Sequence, residues 1–243
     1  MTKPLVFVPC YNCEDQIRRT LSGVQSSLVI SELDVLVLDN CSQDKTFAVA
    51  QEFVQKNQLS NIQVQQNPTN LGLGGSFKKA SLKAKSEGYT HLLILHGDDQ
   101  ADIQDAEKMI LNLSSNTATQ LGARFMKGAS LTNYSAIRRF VNLCFNWLMS
   151  LLFFRIVHDI GSGLNLYQLS ALPDKLIHRL DSHAAFDIDI LLYLLSSKAS
   201  FRFVPIQWKS VDEISTVNDW LIGYRLLVKI FYWRLCNTSL HVK

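Results

Sequence analysis

Residues 91–100 read HLLILHGDDQ, a strongly apolar run of strand length that ends in an acidic turn. Continuous apolar strands are typical of parallel sheets that helices cover on both faces. The same order, an apolar run followed by polar residues, occurs three more times upstream, with helical spacing between the runs. The runs occupy residues 5–8, 35–38 and 61–64, and the polar turns residues 9–12, 39–44 and 70–75. This alternation predicts βαβ units and a parallel sheet.

The second half of the chain is less regular. Residues 135–157 have the length and apolar character of a helix, residues 186–195 are helical again, and residues 201–204 form a short predicted strand. The chain has no internal repeat and no linker rich in Pro or Ser. We therefore expect one α/β domain over residues 1–215, followed by an aromatic and basic helical extension over residues 216–243.

The composition excludes several classes of protein. Of the 243 residues, 47% are hydrophobic and 19% are charged. A disordered chain is excluded, because disorder requires low hydrophobicity and a high net charge. The formal net charge is only +3 and no dense Lys or Arg run is present, so we expect no nucleic-acid partner. Five cysteines, an odd number, favour free thiols in a reducing compartment over a disulfide scaffold.

Two apolar segments bear on localisation. Residues 5–8 are shorter than the apolar run of about 7–15 residues in a signal peptide, so export is not expected. Residues 140–154 form an apolar run of 15 residues with two Asn, short of the roughly 20 that a spanning helix needs. Arg138 and Arg139 precede this run, which suits either a helix lying in the membrane interface or an ordinary core helix.

The polar turns are predicted to converge on one ligand site, because α/β sheets bind ligands outside the carboxyl ends of their strands. In residues 39–44, a carboxylate can accept a hydrogen bond from a ribose hydroxyl, although Ser42 or Asp44 can instead cap the next helix. The acidic residues at 98 and 99 suit a hard divalent cation bound together with substrate phosphates. The alternative is a polar turn that is acidic without a function.

Two other motifs have weaker functional interpretations. Residues 70–75, NLGLGG, resemble a phosphate-binding glycine loop, but the third glycine of the dinucleotide pattern is missing. Tight backbone packing at a helix start explains these glycines better. Cys10 and Cys13 have the spacing of a redox or zinc pair, but the other cysteines offer no second pair of zinc ligands.

Seven short motifs follow one another along nearly the whole chain. They are V-P-C-Y-N at residues 8–12, D-N-C-S-Q-D-K-T at 39–46, N-L-G-L-G at 70–74, D-D-Q at 98–100, G-A-R-F at 122–125, D-I-G-S-G at 159–163 and V-P-I at 204–206. In this order they resemble family 2 glycosyltransferases, in the branch of the polyprenyl-phosphate (dolichol-phosphate mannose) synthases. The resemblance implies a GT-A fold, with a Rossmann-like, mixed and mostly parallel sheet, and an inverting transfer from a nucleoside diphosphate sugar.

The resemblance also implies roles for individual residues. The nucleotide-sugar site is assigned to Pro9, Tyr11, Glu14, Asp39, Asn70 and Gly72. Asp98 and Gln100 would hold Mg²⁺ or Mn²⁺ on the diphosphate. Arg124 would bind the acceptor phosphate or the donor diphosphate, Arg138 would help with the acceptor phosphate, and Lys209 would close over the diphosphate.

Charge arguments support this assignment. Departure of the leaving group builds negative charge on the diphosphate, which a metal and a Lys or Arg offset. A lipid-phosphate acceptor is already anionic, whereas a sugar hydroxyl needs a general base, for which Asp159 is the candidate. The predicted reaction transfers a sugar from a UDP- or GDP-sugar to a polyprenyl phosphate or a glycan precursor. It would take place at the cytoplasmic face of a membrane, with the protein bound peripherally.

Three positions depart from the family pattern. His96 replaces the first Asp of the metal motif, Asn40 replaces the second Asp of the nucleotide motif, and Cys41 replaces its Gly. These changes leave a non-catalytic nucleotide-sugar-binding module as one alternative. A sugar-phosphate nucleotidyltransferase is another, although residues 8–17 lack the basic, Gly-rich loop with which such enzymes open. The leading prediction requires the carboxylates at 39 and 98 and the guanidinium at 124 to line one crevice.

Overall fold

The structure of the protein is a computed structural model that describes residues 2–113, 119–197, 199–210 and 227–233. The strands are β1 (Pro4–Cys10), β2 (Asp34–Asp39), β3 (Ile62–Gln66), β4 (His91–Ile94), β5 (Thr119–Ala123), β6 (Ser130–Thr132), β7 (Asn165–Gln168), β8 (Phe201–Pro205) and β9 (Gln207–Lys209). The helices are α1 (Glu14–Ser26), α2 (Thr46–Lys56), α3 (Gly72–Ser86), α4 (Ile103–Leu111), α5 (Ala136–Phe153), α6 (Asp174–Arg179), α7 (Phe186–Ser196) and α8 (residues 227–233).

Seven strands form one sheet in the order β3-β2-β1-β4-β7-β5-β8. β7 runs antiparallel to both of its neighbours, and the other pairs are parallel. The predicted mixed, mostly parallel sheet is therefore confirmed. The chain moves outward from β1 through β2 to β3 and then places β4 on the other side of β1. The carboxyl ends of β1, β2 and β4 meet at this reversal of strand order, where open α/β sheets bind ligands.

The side chains of β1 pack alternately into two separate cores. Val6 and Val8 belong to a core that includes side chains of α1, α2 and α4, whereas Leu5 and Phe7 belong to a second core with α3, α6 and α7. Successive side chains of a strand point to opposite faces of the sheet. Helices thus cover both faces, which is why the central strands are apolar at nearly every position.

β6 and β9 form a small parallel sheet beside the carboxyl end of β4. Lys209 donates its backbone N–H to the Gln100 carbonyl at 2.9 Å, and Asp102 donates to the Gln207 carbonyl at 3.4 Å. The backbone N–H of Gln207 also donates to Oδ2 of Asp105 at 2.5 Å. These bonds attach β9 directly to the turn that follows β4.

The predicted C-terminal extension is described only in part. Residues 216–226 and 234–243 lie outside the described residues, so the boundary at residue 215 stays a prediction. α8 is attached to α7 by an ion pair of 2.7 Å between Lys229 Nζ and Asp189 Oδ1. Over the residues that the structure describes, no helix combines the length and the apolar character needed to cross a membrane.

Candidate active site

Asp39 is the last residue of β2 and is buried. Its carboxylate accepts hydrogen bonds from the Ser42 hydroxyl, from the Ser42 backbone N–H at 3.1 Å and from Gln66 Nε2 at 2.8 Å. Asp44 has a different role, because its Oδ1 accepts from the backbone N–H of Thr46 at 3.0 Å and from the Thr46 hydroxyl at 2.6 Å. Asp44 therefore holds the start of α2, and the contact of Asp39 with the ribose stays a prediction.

Glu14 joins the loop after β1 to the loop after β2. Its backbone N–H donates to Asp44 Oδ2 at 3.1 Å, and its own Oε2 accepts from the Lys45 backbone N–H at 2.7 Å. Asn12, at a φ of 49°, accepts from the Gln43 backbone N–H at 2.8 Å through its Oδ1. The Glu14 carboxylate is thus engaged at the start of α2, so the geometry favours loop bracing over the direct nucleotide contact that the sequence predicted.

Pro9 and Tyr11 differ in what they can offer a ligand. Pro9 is buried within β1, so it shapes the end of the strand. The side chain of Tyr11 is 47% exposed immediately after the strand. Tyr11 therefore exposes an aromatic ring at this edge of the sheet, whereas Pro9 is buried there.

The end of β1 lies close to both predicted carboxylates. The pKa of the buried Cys10 thiol is raised well above its ordinary value by a hydrogen bond with Cys13, by burial, and by charges that include Asp39 and Asp98. Both carboxylates therefore border the same strand end. Cys10 and Cys13 are free, and a buried thiol with a raised pKa is a poor nucleophile, which argues against the redox interpretation.

The glycine-rich turn at the start of α3 is filled by protein backbone. Gly74 donates its N–H to the His183 carbonyl at 3.2 Å, and Gly75 donates to the Ser182 carbonyl at 3.0 Å. Gly72 has a φ of 72°, and a Cβ atom there would collide with the Ser182 carbonyl oxygen. Because these amides already have partners, the turn is not a phosphate cradle. Backbone packing is thus sufficient to explain the glycine at position 72, and its assignment to the nucleotide-sugar site stays a prediction.

The side chain of Asn70 accepts hydrogen bonds within the same turn and from the end of β2. Its Oδ1 accepts from Asn40 Nδ2 at 2.7 Å and from the Gly72 backbone N–H at 2.8 Å. The Oδ1 of Asn40 in turn accepts from the Leu71 backbone N–H at 2.9 Å and from Asn67 Nδ2 at 3.1 Å. Both amides therefore join the ends of β2 and β3 to α3, and the geometry assigns Asn70 to this framework in place of a donor contact.

The acidic turn after β4 is held in one conformation. Gln100 donates its backbone N–H to Asp98 Oδ1 at 3.2 Å. Asp99 has a φ of 59° and pairs with Arg19 of α1, with 2.7 Å between its Oδ2 and the Arg19 Nε. Asp99 is thus turned toward α1, which leaves Asp98 as the carboxylate of this turn without an ion-pair partner among the described residues.

The donor set of this turn fits a hard metal ion that is shared with substrate. Over the described residues, no group of three or more His, Cys, Asp or Glu side chains could hold a metal alone. Mg²⁺ is usually held by one or two carboxylates plus substrate phosphates and water, and Asp98 and Gln100 supply oxygen donors of that kind. The Nε2 atom of His96 is buried without a hydrogen-bond partner and lies beside Gly163.

Arg124 is a largely buried cation, with 11% of its side chain exposed, and it has a bidentate partner. Its Nε donates to Asp159 Oδ2 at 2.8 Å, and one terminal nitrogen donates to Asp159 Oδ1 at 3.0 Å and to the Gly161 carbonyl at 2.7 Å. Burial by itself lowers the pKa of Arg124, but the charge and hydrogen bonds of Asp159 outweigh burial and raise it. Three aromatic rings lie 5.4–5.8 Å from the guanidinium carbon, those of Phe125, Tyr134 and Trp208.

Asp159 does not have the freedom of a general base. Its side chain is fully buried, and it also accepts from the backbone N–H groups of Arg124 at 2.9 Å and of Gly161 at 3.2 Å. A base must reach the acceptor hydroxyl, and both oxygens here are engaged within the protein. The geometry therefore favours a role for Asp159 in positioning Arg124, and its assignment as general base stays an untested prediction.

Asp187 is a carboxylate that the sequence did not single out. It lies in the first turn of α7, and its Oδ1 accepts from the Tyr167 hydroxyl at 2.7 Å. Burial raises the pKa of Asp187, although the Tyr167 hydrogen bond and the nearby charges of His96 and Arg124 lower it. The sequence gives no functional signal for Asp187, because an acidic residue at a helix start is ordinarily explained by its interaction with the helix dipole. Only the structure shows that Asp187 lies near Arg124 and His96.

Lys209 and Arg138 lie on different elements, β9 and α5. Lys209 is exposed at the end of β9, and its backbone is bonded to Gln100 of the acidic turn. Arg138 lies in the first turn of α5, where Asn142 donates to both the Arg138 carbonyl at 2.8 Å and the Tyr134 hydroxyl at 3.1 Å. The Tyr134 ring is one of the three around Arg124, so Asn142 links the first turn of α5 to the surroundings of Arg124.

The fold and site define a sugar-transfer enzyme of known class. The model of the family described as Glycosyl transferase family 2 matches residues 5–176. The chain belongs to this family and is a glycosyltransferase, as the motif resemblance predicted.

Known proteins of this class are similar over most of the chain. The dolichyl-phosphate beta-glucosyltransferase of Mus musculus is 25% identical over an alignment that covers 98% of this chain and 79% of the relative. The solved glucosyl-3-phosphoglycerate synthase of Mycobacterium tuberculosis, with Mn²⁺, UDP and phosphoglyceric acid, has a TM-score of 0.67 at 13% identity, covering 96% of this chain and 78% of that one. A Pyrobaculum calidifontis mannosyltransferase with GDP-Man and Mn²⁺ has a TM-score of 0.63 at 15% identity, covering 94% and 63%. These likenesses confirm the GT-A fold.

Proposed function

We propose that this glycosyltransferase moves a sugar, with inversion, from a UDP- or GDP-sugar onto a polyprenyl phosphate or a glycan precursor. The observation that carries the proposal is the buried Arg124, enclosed by aromatic rings and joined through β9 to the turn that holds Asp98. This arrangement offers one place for a metal-bound diphosphate and an adjoining place for an anionic acceptor. The reaction is placed at the cytoplasmic face of a membrane, where the protein is peripheral.

The nucleoside is assigned to the edge formed by β1 and β2. The Asp39 carboxylate is fixed there by Ser42 and Gln66, so it can accept from ribose hydroxyls without reorganising. The exposed ring of Tyr11 can stack on the base. Glu14 and Asn70 support this edge by bracing its loops.

The diphosphate is assigned to the turn after β4. Asp98 and Gln100 would hold Mg²⁺ or Mn²⁺ there, and a bound ion of this kind offsets the charge that builds on the leaving diphosphate. Two solved relatives in fold contain Mn²⁺ beside a nucleotide or nucleotide sugar. Lys209, which is bonded through its backbone to Gln100, adds a second positive charge at the same phosphates.

A phosphate acceptor suits the positive charges of Arg124 and Arg138. The Mus musculus relative is named for a dolichyl-phosphate acceptor, and its alignment covers 98% of this chain. A lipid phosphate is anionic before it reacts, so the protein needs to position it and need not deprotonate it. Arg124, held rigid by Asp159, and Arg138 on α5 are assigned to this group.

A glycan hydroxyl is the second candidate acceptor, and one observation favours it. Asp187 lies near Arg124 and His96 and has a raised pKa. A carboxyl group with a raised pKa is a stronger base than an ordinary aspartate. Asp187 would then take the proton of the attacking hydroxyl on Oδ2, because its Oδ1 accepts from the Tyr167 hydroxyl. The sequence assigned this role to Asp159.

Calorimetry and a transfer assay test the proposal. UDP and GDP are titrated with and without Mn²⁺ into the wild type, into Asp98→Ala, and into Asp174→Ala as a control on the exposed surface of α6. We expect one nucleotide to bind with metal dependence, and Asp98→Ala alone to lose that dependence. A labelled sugar should then pass to polyprenyl phosphate but not to the dephosphorylated polyprenol.

Other outcomes decide against parts of the proposal. Transfer to a glycan hydroxyl that Asp187→Asn abolishes would select the second acceptor. Nucleotide binding with no transfer to any acceptor would favour the non-catalytic binding module. If neither nucleotide binds, the protein shares the fold of the family but not its binding of nucleotide sugars.

A further inference from the structure

α5 presents its apolar side to solvent. Of its 18 residues, only Asn146 and Met149 are buried. Large apolar side chains lie exposed along α5 and just beyond its end, at Ile137, Phe140, Val141, Leu143, Trp147, Leu151, Phe154 and Ile156. A surface helix in water normally turns its apolar stripe inward and its charged residues outward. α5 is therefore suited to contact an apolar medium.

The exposed side chains form a continuous stripe. Phe140, Trp147, Leu151 and Phe154 are exposed, and their spacings of three, four and seven residues place them on one face of a helix. At 1.5 Å per residue, the stretch from Phe140 to Phe154 spans roughly 21 Å along the helix. Contiguous exposed apolar patches of this kind mark interaction sites.

The charges at the ends of the helix identify the partner. α5 contains no acidic residue, Arg138 and Arg139 lie in its first turn, and Arg155 follows its end. Two copies packed through α5 would bring arginines together in either orientation, which opposes a dimer. Basic ends with Phe, Trp and Leu between them match a bilayer, where arginines meet anionic headgroups and apolar rings enter the acyl region.

We infer that the α5 stripe docks on an anionic lipid bilayer and holds the acceptor side of the active site at the headgroup level. The Asn142 side chain of α5 donates to the Tyr134 hydroxyl, and the Tyr134 ring lies 5.8 Å from the Arg124 guanidinium carbon. A docked α5 thus places Arg124 beside the membrane surface. Its role in catalysis rests on the proposed function, because a polyprenyl phosphate could then react while its chain stays in the bilayer.

Vesicle binding tests the inference with a matched control. Vesicles of phosphatidylglycerol and phosphatidylcholine are sedimented with the full chain, with Phe140→Ser/Leu151→Ser, and with Leu111→Ser on α4. Phe140 and Leu111 are both 68% exposed, so the control removes a similar side chain from another surface. We expect the double variant to bind at least about tenfold more weakly and Leu111→Ser to bind like the wild type, because moving apolar side chains from water into the acyl region is the main favourable contribution to docking. Equal binding by all three proteins would overturn the inference.

Trp147 supplies a second, independent readout. Its side chain is 67% exposed in the middle of the stripe, so lipids brominated on their acyl chains should quench its fluorescence. Most of the quenching should disappear in Trp147→Phe. Quenching that is unchanged in this variant would show that another surface meets the lipid, and would also overturn the inference.

The inference and the proposed function fail in different ways. Transfer to a short-chain, water-soluble polyprenyl phosphate requires no membrane, so the α5 variants should retain it. Vesicle binding with no transfer to any soluble acceptor would reject the proposed function and leave the docking surface standing. Transfer to soluble acceptor without vesicle binding would reject the docking surface alone.

Discussion

At the scale of single residues, Arg124 sets the character of the acceptor side. A buried guanidinium is stable only where its charge and hydrogen bonds are matched, and Asp159 provides both in a bidentate pair. The remaining surface of the planar group faces aromatic rings, which favour a cation electrostatically. The pair therefore works as one rigid unit.

Asn40 stands where the family motif has Asp, and its amide makes a hydrogen bond that an ionised aspartate could not make. Its Nδ2 donates to Asn70, while its Oδ1 accepts from Leu71 and Asn67. An ionised aspartate can only accept hydrogen bonds, so it could not donate to Asn70. Cys41, which stands where the family has glycine, has a φ of 63°, a conformation that is costly for a side chain with a Cβ.

Gly72→Ala tests the packing of the turn before α3. The new methyl group would adopt a left-handed φ and also meet the Ser182 carbonyl. We expect the free energy of unfolding to fall by roughly 3 kcal/mol or more, because strain and overpacking add. Urea denaturation measures the change.

Gly88→Ala is the matched control for this prediction. Gly88 has a φ of 76°, and nothing lies within 4 Å of a Cβ placed there. It should lose only about 1–2 kcal/mol, the cost of the left-handed conformation itself. Equal losses at the two positions would contradict the role of Ser182.

At the scale of elements, α1 connects the two halves of the donor site. Its first residue, Glu14, braces the loop after β2, and Arg19, later in the helix, pairs with Asp99 in the turn after β4. Asp99 has a left-handed φ of 59°, which costs energy unless neighbouring groups favour it. Arg19 therefore helps to hold the turn in the form that offers Asp98.

Arg19→Ala should weaken metal binding without unfolding the protein. We expect the Mn²⁺ concentration for half-saturation in the presence of UDP or GDP to rise about two- to fivefold, a range consistent with losing one exposed ion pair. Electron paramagnetic resonance of free Mn²⁺ measures this directly. Arg18→Ala is the control, because Arg18 pairs with Glu52 and its side chain is 47% exposed against 48% for Arg19. An equal shift in both variants would reject the role of Arg19.

Local patterns predict some elements better than others. The strands β1, β2 and β4 are predicted because every side chain between two covered faces is apolar, and the helices between them follow from their spacing. β7 is missed, because residues 165–168 follow a glycine-rich break and are only four long. β6 and β9 have three residues each, so pairing between distant segments creates them and local sequence does not.

At the scale of the whole molecule, the candidate site brings together polar and charged side chains from separate elements. Asp187 comes from α7 and Tyr167 from β7, while His96 and Arg124 follow β4 and β5. Burial raises the pKa of Asp187, so folding favours its protonated form. The stabilisation this provides is fully present below the pKa of the unfolded chain and is lost as the pH rises through the raised pKa of the folded state.

Asp187→Asn should therefore change how stability depends on pH. Below about pH 4, where both states are protonated, the variant and the wild type should differ little. As the pH rises to neutrality the wild type loses stability relative to Asp187→Asn, so the variant becomes the more stable of the two. Urea midpoints measured from pH 4 to 8 check this. A wild type that gains on the variant as the pH rises would reverse the sign and reject the raised pKa.

The sequence by itself determined the class of fold and the enzyme family, and it predicted the edge of the sheet that carries the site, because these depend on local periodicity and on motifs at strand ends. Asp39, Asp98 and Arg124 are all found at carboxyl ends of strands in the same sheet. Only the tertiary structure decided which partners each polar side chain and backbone amide has. It paired Asp159 with Arg124, bonded the amides of Gly74 and Gly75 to the carbonyls of residues 182 and 183, and placed Asp187 near Arg124 and His96. The physical reason is that burial, charge pairing and hydrogen-bond partners come from residues distant in the chain, which no local pattern specifies.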